Sequence, residues 1–216
     1  VSGLATVITG TASGDNFGWD LWNNDSELLI SAPHTGFGMV NNGAVYLFDA
    51  DVFGEVAASN AGHIFIGEQA GEQAGTSIAM GDVNGDGFND IAVGAPFHSE
   101  GSVEGMVYLS LAPYGQLVPL QTSQAKWRGD IADCNLGFSL AMGDLNGDGY
   151  EDLAMGAPYR EQDNGSVFVS FDAAGQSASV SDVDLHFSSV TDHSQFGSEI
   201  SLLDINQDGD LDLVIS

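Results

Sequence analysis

A run of 22 residues, GTSIAMGDVNGDGFNDIAVGAP at 75–96, returns as GFSLAMGDLNGDGYEDLAMGAP at 137–158. It returns again, shortened, as GSEISLLDINQDGDLDLVIS at 197–216. Gly75, Gly137 and Gly197 stand 62 and then 60 residues apart. A degenerate copy runs from Phe17-Gly18 to Ser31-Ala32-Pro33, with its central segment, Trp22 to Ser26, six residues shorter. Self-similarity at a fixed interval is the mark of like units that stack, each burying its apolar face on the next.

The apolar positions repeat with the motif and identify the unit. Ile78, Leu140 and Ile200 correspond, as do Met80, Met142 and Leu202; beyond the polar centre, Ile91, Leu153 and Leu213 correspond, then Val93, Met155 and Ile215. These positions alternate with period 2, the signature of strands and not of helices. Each repeat therefore begins with a hairpin whose turn is an Asp-rich loop. A further alternating run follows (Ala44 to Phe48, Met106 to Leu111, Val167 to Phe171), and a short strand precedes the next repeat near Ile64 to Ile66, Ala125 to Arg128 and Asp184 to Phe187. Four strands in about sixty residues make one blade of an all-β propeller, four antiparallel strands to a blade. An extra outer strand is expected at residues 5–10.

The three loops share one pattern of oxygen. They are Asp82-Val83-Asn84-Gly85-Asp86-Gly87-Phe88-Asn89-Asp90, then Asp144 to Asp152 and Asp204 to Asp212. Side-chain oxygens fall at loop positions 1, 3, 5 and 9: Asp82, Asn84, Asp86, Asp90; Asp144, Asn146, Asp148, Asp152; Asp204, Asn206, Asp208, Asp212. Alternate residues of a tight loop point inward, so this spacing turns four oxygens onto one point, and Gly at position 6 permits the turn. The backbone carbonyl at position 7 (Phe88, Tyr150, Asp210) adds a fifth ligand. Hard oxygen donors without His or Cys select Ca²⁺ over transition metals, and about three such sites are expected. A hairpin-turn reading of the Asn-Gly and Asp-Gly pairs competes, but three copies in register favour metal. An EF-hand is excluded, because its position-12 acid would fall on Val93, Met155 and Ile215 and the flanks are strands.

Charge narrows the partners. Against 31 Asp and Glu stand three Lys and Arg, for a formal net charge of -28. Such a chain repels nucleic-acid phosphates and anionic bilayers, while 43% hydrophobic residues suffice for a core. Ten aspartates lie in the three loops, and three Ca²⁺ would bring -28 to about -22 by addition of +6. The single cysteine, Cys134, forbids an internal disulfide. No apolar run is long enough to span a bilayer, so no direct membrane insertion is expected. The opening VSGLATVITG lacks the charged and apolar regions of a signal peptide; an exported protein would already have lost it. No G-x-S-x-G or other nucleophile context accompanies the five histidines, and no enzyme activity is expected.

The Phe-Gly pairs (Phe17-Gly18, Phe196-Gly197) and the Gly-Ala-Pro triplets (Gly94-Ala95-Pro96, Gly156-Ala157-Pro158) that bracket the Asp loops resemble FG-GAP repeats. These are the repeats of the integrin α-subunit N-terminal propeller, found also in bacterial surface proteins and in a glycosylphosphatidylinositol-specific phospholipase D. Ala74-Gly75 and Leu136-Gly137 depart from Phe-Gly, and the first repeat lacks the loop ligands. The resemblance implies a seven-bladed propeller, of which residues 1–216 hold about three and a half blades, as repeats at roughly 11–66, 67–128, 129–187 and an incomplete 188–216. The rest would come from the same longer chain, which is favoured, or from another subunit.

The resemblance also places function. It sets the calcium loops on one face and a protein or glycan ligand on the other, where the loops His34 to Asn42, Phe97 to Glu104 and Tyr159 to Asn164 offer Phe37, Phe97, His98, Tyr159 and Arg160. It implies an extracellular or cell-surface module for adhesion or recognition, with calcium in a structural role. Two alternatives are a surface assembly or filament completed by strand sharing between chains, and the non-catalytic propeller of an extracellular enzyme. Arg128-Gly129-Asp130, the tripeptide that integrins recognise, reads as coincidence. Asn24 and Asn164 begin N-glycosylation triplets.

Overall fold

In the computed structural model, which describes residues 6–49, 51–174 and 177–216, the backbone forms eighteen short strands and little helix. They are β1 (Val7–Thr9), β2 (Leu21–Asn23), β3 (Glu27–Ala32), β4 (Ala44–Asp49), β5 (Glu55–Ala57), β6 (His63–Ile66), β7 (Ser77–Gly81), β8 (Asp90–Ala95) and β9 (Met106–Ser110). There follow β10 (Leu117–Pro119), β11 (Ala125–Arg128), β12 (Leu140–Gly143), β13 (Asp152–Ala157), β14 (Ser166–Ser170), β15 (Ser177–Ser179), β16 (Leu185–Ser188), β17 (Ile200–Leu203) and β18 (Asp212–Ile215).

Three blades follow one plan. β2, β3, β4 and β6 pair antiparallel in the first, β7, β8, β9 and β11 in the second, and β12, β13, β14 and β16 in the third. β17 and β18 form the same opening hairpin, Leu202 opposite Leu213, as Met80 stands opposite Ile91. The outer strand expected at 5–10 is β1; residue 5 lies outside the described residues.

One element was not foreseen. The first two blades carry a fifth strand, parallel to the rest of the pattern's outer strand and donated by the blade that follows. β10 pairs with β6 through Leu117–Ile64 and Val118–Phe65, and β15 pairs with β11 through Lys126–Ser177. β5 treats β1 the same way, Ile8 opposite Val56. Each donated strand runs into a single 3₁₀ turn, whose first residue (Ala58, Leu120, Val180) is fully buried.

The core lies between blades. Leu109 and Trp127 of the second blade pack with Leu153, Met155 and Phe168 of the third, and Val45, Leu47 and Phe65 of the first pack with Ile78, Met80 and Ile91 of the second. β8 and β13 are covered on both faces, so every residue in them is buried. Along Ile91-Ala92-Val93-Gly94-Ala95 large side chains face one neighbour and small ones the other, which is how closely stacked sheets interlock.

Gly94 and Gly156 explain the Gly-Ala-Pro signature. A Cβ on Gly94 would stand 2.1 Å from the carbonyl oxygen of Gly137, and one on Gly156 would stand 2.2 Å from that of Gly197. Within a blade, Gly75 N donates to Gly94 O and Gly137 N to Gly156 O, both at 2.9 Å. The motif glycines therefore close a hairpin on one side and admit the next blade's backbone on the other.

Candidate metal-binding loops and ligand face

The loops between β7 and β8, β12 and β13, and β17 and β18 fold alike, each stitched by its own side-chain oxygens. At position 1, Asp82 Oδ1 accepts from Gly85 N (2.7 Å) and Asp86 N (3.1 Å), and its Oδ2 from Gly87 N (2.8 Å). Asp144 repeats these bonds with Gly147, Asp148 and Gly149, and Asp204 with Asp208 and Gly209. At position 3, the side-chain oxygens of Asn84, Asn146 and Asn206 accept from the N–H of position 5 at 2.8, 2.8 and 2.9 Å. At position 5, Asp86, Asp148 and Asp208 accept from the N–H of Phe88, Tyr150 and Asp210. At position 9, Asp90, Asp152 and Asp212 accept from Val83, Leu145 and Ile205 N at 3.2, 2.8 and 2.9 Å.

Positions 1, 3 and 5 thus come together, since one N–H at position 5 is shared by the oxygens of positions 1 and 3. Among the described residues, however, no three His, Cys, Asp or Glu side chains gather as a ready-made metal group; the carboxylates bond to backbone amides instead. The donor set still fits a hard divalent cation. Asp82 Oδ2, Asp144 Oδ2 and the accepting oxygens of positions 3 and 5 each take one of these bonds and keep a second lone pair, and the local charge is unbalanced. Burial pushes the Asp90 and Asp152 carboxyls up to about 6, with the nearby Asp82, Asp86, Asp144 and Asp148 charges adding to the effect. The first repeat has no such loop. There Asn24 Oδ1 closes a short turn by accepting from Ser26 N and Glu27 N at 2.8 and 2.7 Å.

The opposite face is built by the turns after each Ala-Pro. Of the five residues expected there, two do not reach the surface. His98 is fully buried, its Nδ1 2.7 Å from Glu72 Oε2, with the Tyr108 hydroxyl donating to the same oxygen at 2.9 Å. Arg160 occupies the matching place in the third blade and forks onto Asp130, Nε to Oδ1 at 3.0 Å and Nη2 to Oδ2 at 2.8 Å. Those bonds and that charge hold Asp130 below its usual range and Arg160 above its own. Both pairs pin the turn after Ala-Pro to the segment that enters the blade. Asp130 is thereby consumed inside the fold, and Arg128 pairs with Glu100 at 2.6 Å, so Arg128-Gly129-Asp130 is not displayed as a free tripeptide. The register of the repeats held the clue, since Thr35, His98 and Arg160 align.

Phe97 and Tyr159 do come together, and Phe37 packs half-buried on the first blade's core. Phe97, Tyr159, Phe138 and Ile131 line an open cleft of about 710 Å³ between the second and third blades, rimmed by Asp133, Glu161 and Asp163. The Phe138 and Tyr159 rings meet edge to face, 5.9 Å apart. Asp133, Asn135, Glu161, Gln162 and Asp163 all take positive φ, an unusual concentration of left-handed backbone at a cleft's lip. Phe138, Ile131 and the acids were not singled out in the sequence, where nothing local distinguishes them from ordinary loop residues.

The FG-GAP repeat family model matches residues 74–110 and 136–170, each spanning one opening hairpin and the strand that follows it. These are FG-GAP repeats. The chain is similar to integrin α subunits: 36% identical to integrin alpha-PS5 of Drosophila melanogaster over 157 residues, 68% of this chain and 14% of that protein. It is 36% identical to human integrin alpha-6 over 135 residues (60% and 11%) and 41% identical to mouse integrin alpha-IIb over 104 (45% and 10%). The FG-GAP chain therefore spans 10 to 14% of the length of these relatives. No helix among the described residues is long and apolar enough to cross a membrane.

Proposed function

We propose that this FG-GAP chain is a calcium-binding module for adhesion or ligand recognition, working outside the cell or at its surface. Its ions serve the fold and take part in no chemistry. The observation that carries the reading is the like folding of three Asp loops, in each of which the side-chain oxygens of positions 1 and 3 share the N–H of position 5. An ion in each loop would neutralise clustered carboxylates and lock the hairpin against its neighbours. Extracellular placement is supported by the likeness to integrin α subunits and by the abundance of calcium there.

The ligand, a protein or a glycan, would bind the face away from the loops, at the aromatic cleft of Phe97, Phe138 and Tyr159. Aromatic walls with an acidic rim suit a partner that offers apolar surface and hydrogen-bond donors. Further strands would pack on the third blade, from the same polypeptide or another subunit. Phe187 supports this: it is 40% exposed, whereas its counterparts Phe65 and Trp127 are fully buried.

Thermal unfolding with calcium and with EDTA tests the metal reading. Calcium at a hundredfold over its dissociation constant should stabilise the fold by about 2.7 kcal/mol per site. An identical melting temperature in both conditions would overturn it.

A further inference from the structure

The loops touch one another, and not equally. The ring of Tyr150, position 7 of the second loop, lies on Gly85, position 4 of the first; a Cβ there would stand 2.2 Å from Tyr150 Cε1. Glu151 N donates to the carbonyl of Asp82, position 1 of the first loop, at 3.2 Å. The aliphatic part of Glu151 packs on Gly81, whose Cβ would stand 2.8 Å from Glu151 Cγ. Between the second and third loops only the last kind of contact recurs, as Leu211 on Gly143. Position 7 of the third loop is Asp210 and offers no ring, and a Cβ on Gly147 would have nothing within 4 Å.

We propose that loops 82–90 and 144–152 take up calcium as a coupled pair, with Tyr150 and Glu151 as the link, while loop 204–212 binds on its own. The inference rests on the calcium reading above. An ion held by the Tyr150 carbonyl fixes that residue's backbone, and with it the ring and the Glu151 N–H. These in turn hold Gly85 and the Asp82 backbone in place. The second ion then meets a loop already ordered, and the entropy cost of binding it is smaller. By linkage the effect is mutual. The third loop lacks the ring and the inter-loop hydrogen bond, so its ordering gains little from its neighbour.

Calcium titration of the whole chain tests this, with the amide signals of the position-6 glycines (Gly87, Gly149, Gly209) followed by NMR so that each loop reports separately. Asp144→Ala should weaken calcium binding at the first loop by about fivefold or more, while Asp204→Ala leaves that loop unchanged. Tyr150→Ala keeps the carbonyl and the Glu151 contacts and removes the ring; all three loops should still bind, with the coupling of the first to the second weakened. Tyr150→Phe restores the ring and should behave as the parent. Three independent sites in the parent chain, or an unchanged first loop in Asp144→Ala, would overturn the coupling and leave the calcium reading standing. Absence of calcium binding at every loop would overturn both.

Discussion

Ser77 Oγ donates a 2.8 Å hydrogen bond to the carbonyl oxygen of Gly137, sixty residues further on and in the next blade. Ser139 makes the same bond to Gly197 at 2.7 Å. Both serines are buried, so each bond ties one blade's innermost strand to the next where water cannot substitute. Ser77→Ala and Ser139→Ala should each lower stability by about 1–2 kcal/mol, because each leaves a buried carbonyl with one partner fewer. Denaturant midpoints of the single and double variants should show the two losses adding.

Gly94→Ala and Gly156→Ala should be costlier, since the added methyl meets backbone oxygen at close to 2 Å and backbone cannot swing aside. A loss of about 3 kcal/mol or failure to fold is expected. Gly62→Ala is the control, as its Cβ would find only Leu47 O at 3.7 Å; a change within about 1 kcal/mol is expected there.

How much of this was legible in the sequence follows from how local each signal is. The loops and the hairpins around them are written in short local patterns, and the repeats supply three readings of each. β5, β10 and β15 were not legible. Glu55-Val56-Ala57, Leu117-Val118-Pro119 and Ser177-Ala178-Ser179 are too short to alternate, and what makes them strands is a partner in another blade. Two residues expected on the ligand face were illegible for another reason. His98 and Arg160 look like surface residues because both are polar, and burial becomes sensible only when Glu72 and Asp130 are seen beside them.

The Asp130–Arg160 pair should give the protein an acid-side dependence. Arg160 holds the folded-state pKa of Asp130 below the ordinary 3.8, so ionised Asp130 stabilises the fold. That contribution is complete above the ordinary value and is lost as pH falls through the lower, folded one. Arg160→Met should destabilise at pH 6 by about 3–5 kcal/mol, since it leaves a largely buried carboxylate unpaired. Below pH 3 the gap between variant and parent should narrow. Urea unfolding at pH 6, 4 and 2.5 measures it; a gap independent of pH would contradict the assignment.

Trypsin should cut the folded chain slowly and in an all-or-none manner. Its only sites follow Lys126, Arg128 and Arg160. The first two lie in β11, paired on both sides, and the third side chain is nine-tenths buried. Cleavage should therefore track unfolding, and calcium should slow it to the extent that it raises stability. Rapid nicking at Arg160 alone would mean that its turn opens locally.

The donated strands bear on how such a chain can be cut and rejoined. Because β10 belongs by sequence to the second repeat and by pairing to the first, and β15 likewise joins the third repeat to the second, the blades overlap like roof tiles. Excising residues 67–128 would strip β6 of its outer neighbour as well as removing one blade. A graft that respects sequence boundaries would thus break two units, whereas one that carries residues through the following 3₁₀ turn would move a blade with its clasp intact.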